Sequence, residues 1–177
     1  MNNDIERILF SAEEIDKIVT RIASQISSDY KGKNLCLLCV LKGSLVFCAD
    51  LMRKLDLNPE IICVSASSYK SSTVSSENVE ISALTDSVSG RDILIVEDIL
   101  DTGNTLSNLV NYLKTLNPAS VEICTILDKP SRRKVNITAK YSGVEIPDEF
   151  VVGYGLDYDQ KYRSLPYIGV LKPEIYN

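Results

Sequence analysis

A chain of 177 residues, 45% hydrophobic and 24% charged, has the length and composition of one globular domain with a sizeable buried core. Its formal net charge of -5 disfavours a protein whose affinity comes from nucleic-acid phosphates, and no stretch reaches the ~20 consecutive apolar residues of a membrane-spanning helix. The absence of histidine removes imidazole acid–base chemistry, His-based triads and most zinc sites.

The first ten residues carry Asp4, Glu6 and Arg7 with no apolar run behind a basic start, so they do not read as a signal peptide and a cytoplasmic location is expected. Ser11-Ala12-Glu13-Glu14 has the form of a capping box. It opens a helix whose apolar stripe is Ile15, Ile18, Val19, Ile22, Ala23 and Ile26. The unbroken apolar run Leu35 to Leu41 suits a strand covered on both faces. Lys42-Gly43-Ser44 follows at once, then a helical segment from about Leu45 to Leu55. Glu60 to Ser68 and Val79 to Leu84 read as strands, separated by a serine-rich stretch with few apolar anchors, expected to be an exposed loop.

Asp92 to Val96 reads as a short strand and leads into Glu97-Asp98-Ile99-Leu100-Asp101-Thr102-Gly103-Asn104-Thr105. Leu106, Leu109, Val110, Leu113 and Leu116 then form a helical stripe stopped by Pro118. Val121 to Leu127 and Phe150 to Tyr154 complete the strands. Alternating strands and helices predict an α/β fold with a mainly parallel central sheet flanked by helices, and ligands of such sheets bind at the carboxyl ends of the strands. No repeat or linker divides the chain, so residues 1–177 are expected to form a single domain.

Cys36 and Cys39 make a formal C-x-x-C, but a strand sends residues three apart to opposite faces. They are expected to be reduced, buried packing residues, with Cys48, Cys63 and Cys124 in similar apolar settings.

The chemistry concentrates after the Asp92 strand. A helix start offers unpaired N–H groups and a dipole that favour phosphate; Gly103 allows close backbone approach, and Thr102 and Thr105 add hydroxyls. Glu97 and Asp98 suit ribose hydroxyls or a magnesium ion. Asp101 faces another part of the ligand or helps hold a cation, or else caps the helix while Glu97 and Asp98 are solvated strand-end charges. Neighbours in a regular strand face opposite ways, so Glu97 and Asp98 reach one ligand only if the chain turns there. The Walker A pattern is absent.

The segment Val96 to Leu106 resembles the phosphoribosyl pyrophosphate signature of type I phosphoribosyltransferases, closest to the hypoxanthine-guanine branch. Further matches occur in order: Leu41-Lys42-Gly43-Ser44 to the pyrophosphate loop and Ser67 to Thr73 to the flexible catalytic loop. Leu127 to Arg133 is similar to the loop with the purine-contacting lysine, and Asp148 to Tyr158 with Arg163 to the purine hood. The resemblance spans roughly residues 5–172. It implies a type I phosphoribosyltransferase fold whose small hood comes from the N- and C-terminal segments.

The implied activity is purine salvage: Mg2+-dependent transfer of the 5-phosphoribosyl group from phosphoribosyl pyrophosphate to hypoxanthine or guanine. The products would be IMP or GMP and pyrophosphate, formed through an oxocarbenium-like transition state. By the same resemblance Lys42, Gly43 and Arg163 bind pyrophosphate, with a cis peptide common before the lysine. Glu97 and Asp98 attend the ribose and magnesium, Asp101 is the general base, and Thr102, Gly103, Asn104 and Thr105 hold the 5′-phosphate. Asn104 departs from relatives that carry lysine there. Lys129, Phe150 and Val151 recognise the purine; Asp157 lies with them and serves a second magnesium; Ser68 and Tyr69 belong to the lid loop. The resemblance also implies a homodimer or homotetramer.

Two rivals stay open at this point. One is a transferase preferring another base, such as xanthine. The other is a regulator that keeps the site as a sensor and binds nucleic acid, whose marker would be a basic patch. Only Lys129 to Lys134 is locally basic, and so short a run reads as a solvated loop, so no nucleic-acid or membrane partner is expected.

Overall fold

The structure, a computed structural model, describes residues 3–65 and 88–176. Ser68, Tyr69 and the strand expected over Val79 to Leu84 lie outside the described residues. Among the described residues no helix is long and apolar enough to cross a membrane.

Among the described residues five strands form a parallel sheet in the order β3-β2-β4-β5-β6: β2 is Leu35–Leu41, β3 Glu60–Ser65, β4 Asp92–Leu100, β5 Ser120–Asp128 and β6 Tyr141–Glu145. The sheet is covered on both faces. Helix α1 (Ala12–Asp29) and helix α2 (Leu45–Lys54) pack against one face, helix α3 (Asn104–Lys114) against the other. This arrangement explains why β2 is apolar throughout: Leu35 to Val40 are all buried, with Leu37 and Cys39 in the first core cluster and Cys36, Leu38 and Val40 in the second. The two sulfurs of the C-x-x-C therefore belong to opposite faces.

Helix α1 begins at the expected capping box. The Ser11 N–H donates to Glu14 Oε2 at 2.8 Å and the Glu14 N–H to Ser11 Oγ at 3.3 Å, satisfying two of the donors a helix start leaves unpaired. Its buried stripe is Ile15, Val19, Ile22, Ala23 and Ile26. Helix α2 springs from the turn after β2, where the Leu45 N–H donates to Lys42 O at 3.2 Å. All five cysteines are free thiols, and four are buried. Cys63 is exposed, contrary to expectation. Among the described strands β3 ends the sheet, and edge positions are covered on fewer sides.

A second, antiparallel sheet has the order β1-β8-β7, from β1 (Ile5–Phe10), β8 (Ile168–Leu171) and β7 (Val151–Val152). It joins the two ends of the described chain. Sequence patterning identified neither β1, β6 nor β8, and overestimated β7. The strands are two to six residues long, too short for a period to stand out, and β1 meets its partner β8 only at the far end of the chain, Ile5 against Leu171.

Candidate active site

The chemistry-bearing residues collect where β2, β4 and β5 deliver their carboxyl ends: Lys42 follows β2, Asp101 follows β4 and Lys129 follows β5. Strand β4 runs four residues further than its apolar pattern suggests. Its pairing with β5 continues through Glu97↔Thr125, Ile99↔Leu127 and Leu100↔Asp128, so Glu97 and Asp98 lie within the strand rather than in a loop after it.

The alternation of faces breaks at these two acids. Leu94 and Val96 belong to the cluster under α1 and α2, and Ile93 and Ile95 to the cluster under α3. Beyond the acids the parity is reversed: Ile99 packs with the first cluster and Leu100 lies in the second. The chain has thus made the turn that two adjacent carboxylates need to serve one ligand. Asp98 accepts from the Ile99 N–H at 2.7 Å, while Glu97 Oε2 is buried with no hydrogen-bond partner among the described residues. Burial is the main cause that raises the Glu97 carboxyl well above its usual range, with the Asp98 charge adding to it. Asp98 is pushed up to about 6, chiefly by burial, against backbone hydrogen bonds and the Arg163 charge that pull it down.

Around Asp98 the pyrophosphate-loop segment and the 155–163 segment close on each other. The Leu41–Lys42 peptide bond is cis. A Cβ on Gly43 would lie 1.6 Å from Asp98 Oδ2, and one on Gly155 would lie 2.1 Å from Gly43 O. Neither position admits a side chain without displacement. Arg163 forms an ion pair with Asp157 at 2.9 Å and donates to Gly155 O at 2.8 Å. Gln160, which no sequence pattern singled out, accepts from Lys42 Nζ at 3.4 Å and Arg163 at 3.3 Å, and its N–H donates to Asp157 at 2.9 Å.

The turn after β4 carries Asp101, Thr102 and Gly103. Gly103 is the N-cap of α3 in the left-handed region at φ 83°, and among the described residues no side chain caps the helix. This overturns the reading of Asp101 as a helix cap and leaves the first turn's N–H groups for a ligand. Of those N–H groups, Asn104 N–H makes a long 3.5 Å contact with Thr102 Oγ1. Thr102 and Thr105 are half-buried, Asn104 exposed. A Cβ on Gly103 would meet Ile137 at 2.5 Å, so the close turn requires glycine on grounds of space as well as backbone angle.

Asp101 and Asp148 are linked through Arg132. Its Nε lies 3.1 Å from Asp101 Oδ1 and its NH1 3.4 Å from Asp148 Oδ1; the contact with Asp101 is a charge pairing without an aligned hydrogen bond, since Oδ1 has no hydrogen-bond partner among the described residues. Arg133 donates to Leu100 O at 2.8 Å and Asp101 O at 2.6 Å and pairs with Asp128. Lys129, only 7% exposed, donates to Glu149 O at 2.9 Å. The basic run is therefore spent on internal partners at these three residues, and is not the free solvated loop its composition suggested. Spacing could not reveal this, because Arg132 lies 31 positions from Asp101. Val151 is buried, whereas Phe150 is 37% exposed, its ring stacked on Tyr176 at 4.8 Å and edge-on to Tyr158 at 5.6 Å.

The donor set fits magnesium, which takes one or two carboxylates and completes its shell with water and substrate oxygens. Glu97 supplies an orphaned buried oxygen and Asp98 a carboxylate beside it. Among the described residues no group of three or more acidic or cysteine side chains could hold a metal ion by itself.

Residues 8–159 match the model of the phosphoribosyl transferase domain family. A hypoxanthine-guanine phosphoribosyltransferase of Staphylococcus aureus is 47% identical over 178 residues, covering 100% of this chain and 99% of that protein. The crystal structure of a hypoxanthine phosphoribosyltransferase from Staphylococcus aureus superposes with a TM-score of 0.87 at 43% identity, covering 99% of this chain and 96% of that one. A Trypanosoma cruzi hypoxanthine phosphoribosyltransferase in complex with the product IMP gives a TM-score of 0.87 at 39% identity, covering 99% and 95%. With a parallel sheet, a glycine-threonine turn at its carboxyl edge and full-length kinship of this degree, the chain belongs to the phosphoribosyltransferase family, in its hypoxanthine-guanine branch.

Proposed function

We propose that this protein is a purine-salvage enzyme that transfers the 5-phosphoribosyl group of phosphoribosyl pyrophosphate to hypoxanthine or guanine, releasing pyrophosphate with IMP or GMP. The observation that carries the proposal is the assembly of three binding functions along one sheet edge. Uncapped N–H groups of α3 suit a phosphate, the buried acids of β4 suit a sugar that becomes cationic, and the buried Lys129 donor beside Phe150 suits an oxygen-bearing aromatic base.

In this reading Thr102, Gly103, Asn104 and Thr105 hold the 5′-phosphate, and Glu97 and Asp98 attend the ribose. Lys42, Gly43 and Arg163 receive the pyrophosphate, with Asp157 paired to Arg163. Asp101 takes the proton from the purine nitrogen as the glycosidic bond forms, an effect typically worth ~10²–10⁴-fold. The purine proton's approach displaces the Arg132 charge that sits at 3.1 Å from Asp101 in the free protein. Lys129 offers its proton to the 6-oxo group, and adenine, with an amino group there, would leave a buried donor unpaired. Phe150 stacks on the base and Val151 contributes main-chain contacts. Magnesium, held by Glu97 and Asp98 together with substrate oxygens, and a second ion served by Asp157, would neutralise the charge of the pyrophosphate as it leaves.

The small sheet is read as the hood of a single domain. Assembly as a homodimer or homotetramer and a cytoplasmic location belong to the same proposal. The commitment of Lys129, Arg132 and Arg133 to internal partners supports small-molecule chemistry over nucleic-acid binding.

The test is incubation with phosphoribosyl pyrophosphate, Mg2+ and each free purine in turn. Nucleotide is expected from hypoxanthine and guanine and none from adenine. Absence of product with both 6-oxopurines, or salt-sensitive RNA or DNA binding in its place, would overturn the reading; xanthine in the same series resolves the remaining base preference.

A further inference from the structure

The segment following β7 adopts an uncommon backbone. Gly153, Tyr154 and Gly155 are three consecutive residues at positive φ, 96°, 51° and 99°. Two glycines accept this readily; a tyrosine between them needs outside support. Packing explains the glycines, since a Cβ on Gly153 would lie 2.1 Å from Tyr167 O and one on Gly155 2.1 Å from Gly43 O.

Support for Tyr154 comes from both its ends. Its N–H donates to Leu165 O at 2.9 Å, and its buried side chain reaches across to α2, where the hydroxyl donates to Asp50 Oδ2 at 2.7 Å. Asp50 is itself fixed by Arg53 through its other oxygen. Burial, reinforced by the Asp50 carboxylate, raises the phenol well above its ordinary value, so it remains a neutral donor across the physiological range.

These contacts close a ring. Gly43 leads through Ser44 into α2, α2 carries Asp50, Asp50 holds Tyr154, and the next residue, Gly155, returns to Gly43. We propose that Tyr154 and Asp50 are positioning residues for the leaving-group end of the site, their hydrogen bond setting how closely Gly155 presses on the Lys42-Gly43 turn. This inference rests on the function proposed above. Neither side chain is among the groups assigned to substrate above. Both act through Gly43, which abuts Asp98, and through the strap that presents Asp157, Gln160 and Arg163. Nothing in the ring includes Asp101, Lys129 or Phe150, so its loosening acts on the pyrophosphate end and spares the base end.

The experiment compares wild type with Tyr154→Phe, Asp50→Ala and Asp50→Asn, varying each substrate at saturation of the other. Loss of one buried hydrogen bond predicts a rise of about tenfold in KM for phosphoribosyl pyrophosphate, with KM for hypoxanthine within about twofold. Pyrophosphate should weaken as a product inhibitor in parallel. Asp50→Asn keeps an acceptor oxygen and should show a smaller rise than Asp50→Ala. Should Asp50→Ala fail to fold, Tyr154→Phe, which removes one atom, still decides. Unchanged constants in Tyr154→Phe, or equal changes in both KM values, overturn the strap while normal wild-type turnover leaves the function intact. A wild type that forms no nucleotide overturns both.

Discussion

The parallel sheet and the small antiparallel sheet meet where Lys129, after β5, donates to Glu149 O, before β7, but they are built in opposite ways. The former is a floor of strands buried on both faces, with long local apolar runs and helices pressed on either side. The latter is a roof of strands two to six residues long, drawn from both ends of the described chain. A floor packed this densely can hold carboxylates in positions they would not choose, as the raised Glu97 and Asp98 show. The roof is anchored through Val151, Ile168 and Val170 in the core under α1 and α2, while its rim, with the exposed Arg7–Glu149 pair and the part-exposed Phe150, suits recognition, where groups adjust to a base. The division predicts that chemistry lives on the floor and selectivity on the roof.

The largest effect expected is on the floor. Asp101→Asn keeps the shape of the turn but removes the proton acceptor, and should slow nucleotide formation by at least ~10²-fold with base binding retained. Single-turnover kinetics with equilibrium binding of hypoxanthine measures both; wild-type turnover in this variant would falsify the general-base assignment. Next comes the hinge between floor and roof. Lys129→Ala deletes a donor now directed at Glu149 O, and should weaken 6-oxopurines by roughly tenfold, as expected for a charged hydrogen bond, while narrowing their advantage over adenine. Competition among bases reads this out, and unchanged discrimination removes Lys129 from the purine site.

How far each region was legible follows from the same contrast. The floor announced itself because burial on two faces leaves runs such as Leu35 to Leu41, and because Ser11 with Glu14 marks a helix start by local chemistry alone. The reach of β4 past Val96 did not, since charged residues inside a strand contradict its apolar pattern and are stabilised by pairing with β5. Most candidate residues were found by resemblance: no periodicity selects Lys129 or Phe150. Arg132 and Gln160 were missed altogether. Each acquires its partners through chain reversals, Arg132 with Asp101 and Asp148 and Gln160 with Lys42, and the sequence carries no local mark of such meetings.

A smaller effect tests whether the floor holds its acids at a cost. For Asp98 the folded carboxyl titrates near 6 against an ordinary 3.8. Below the ordinary value both states are protonated and nothing is lost. As pH rises toward 6 the unfolded chain releases its proton first, so stability falls through that window and levels off above it. Asp98→Asn removes this dependence. In magnesium-free buffer the variant should gain on the order of 1–2 kcal/mol over wild type between pH 4 and pH 7.5, allowing for the partial accessibility of the group. Denaturant midpoints at the two pH values give the difference; a constant gap would mean that Asp98 ionises freely in the folded protein.

The smallest effect belongs to the roof. Arg7 of β1 places NH2 2.6 Å from both carboxylate oxygens of Glu149, with 45% of the arginine side chain and 32% of the glutamate side chain exposed. Exposed pairs contribute about 0–1 kcal/mol, so Arg7→Ala should barely move the denaturation midpoint. Glu149 is nevertheless the residue whose carbonyl receives Lys129. If the roof adjusts to the base as its construction implies, the variant keeps its turnover with hypoxanthine and its base preference within about twofold, because a pair worth less than ~1 kcal/mol cannot hold a backbone carbonyl that other hydrogen bonds already fix. Among those bonds, the Glu149 N–H donates to Pro147 O at 2.8 Å and the Leu171 N–H to Phe150 O at 2.8 Å. A clear loss of base discrimination in Arg7→Ala would instead make the roof as rigidly determined as the floor, with selectivity set from its outer edge.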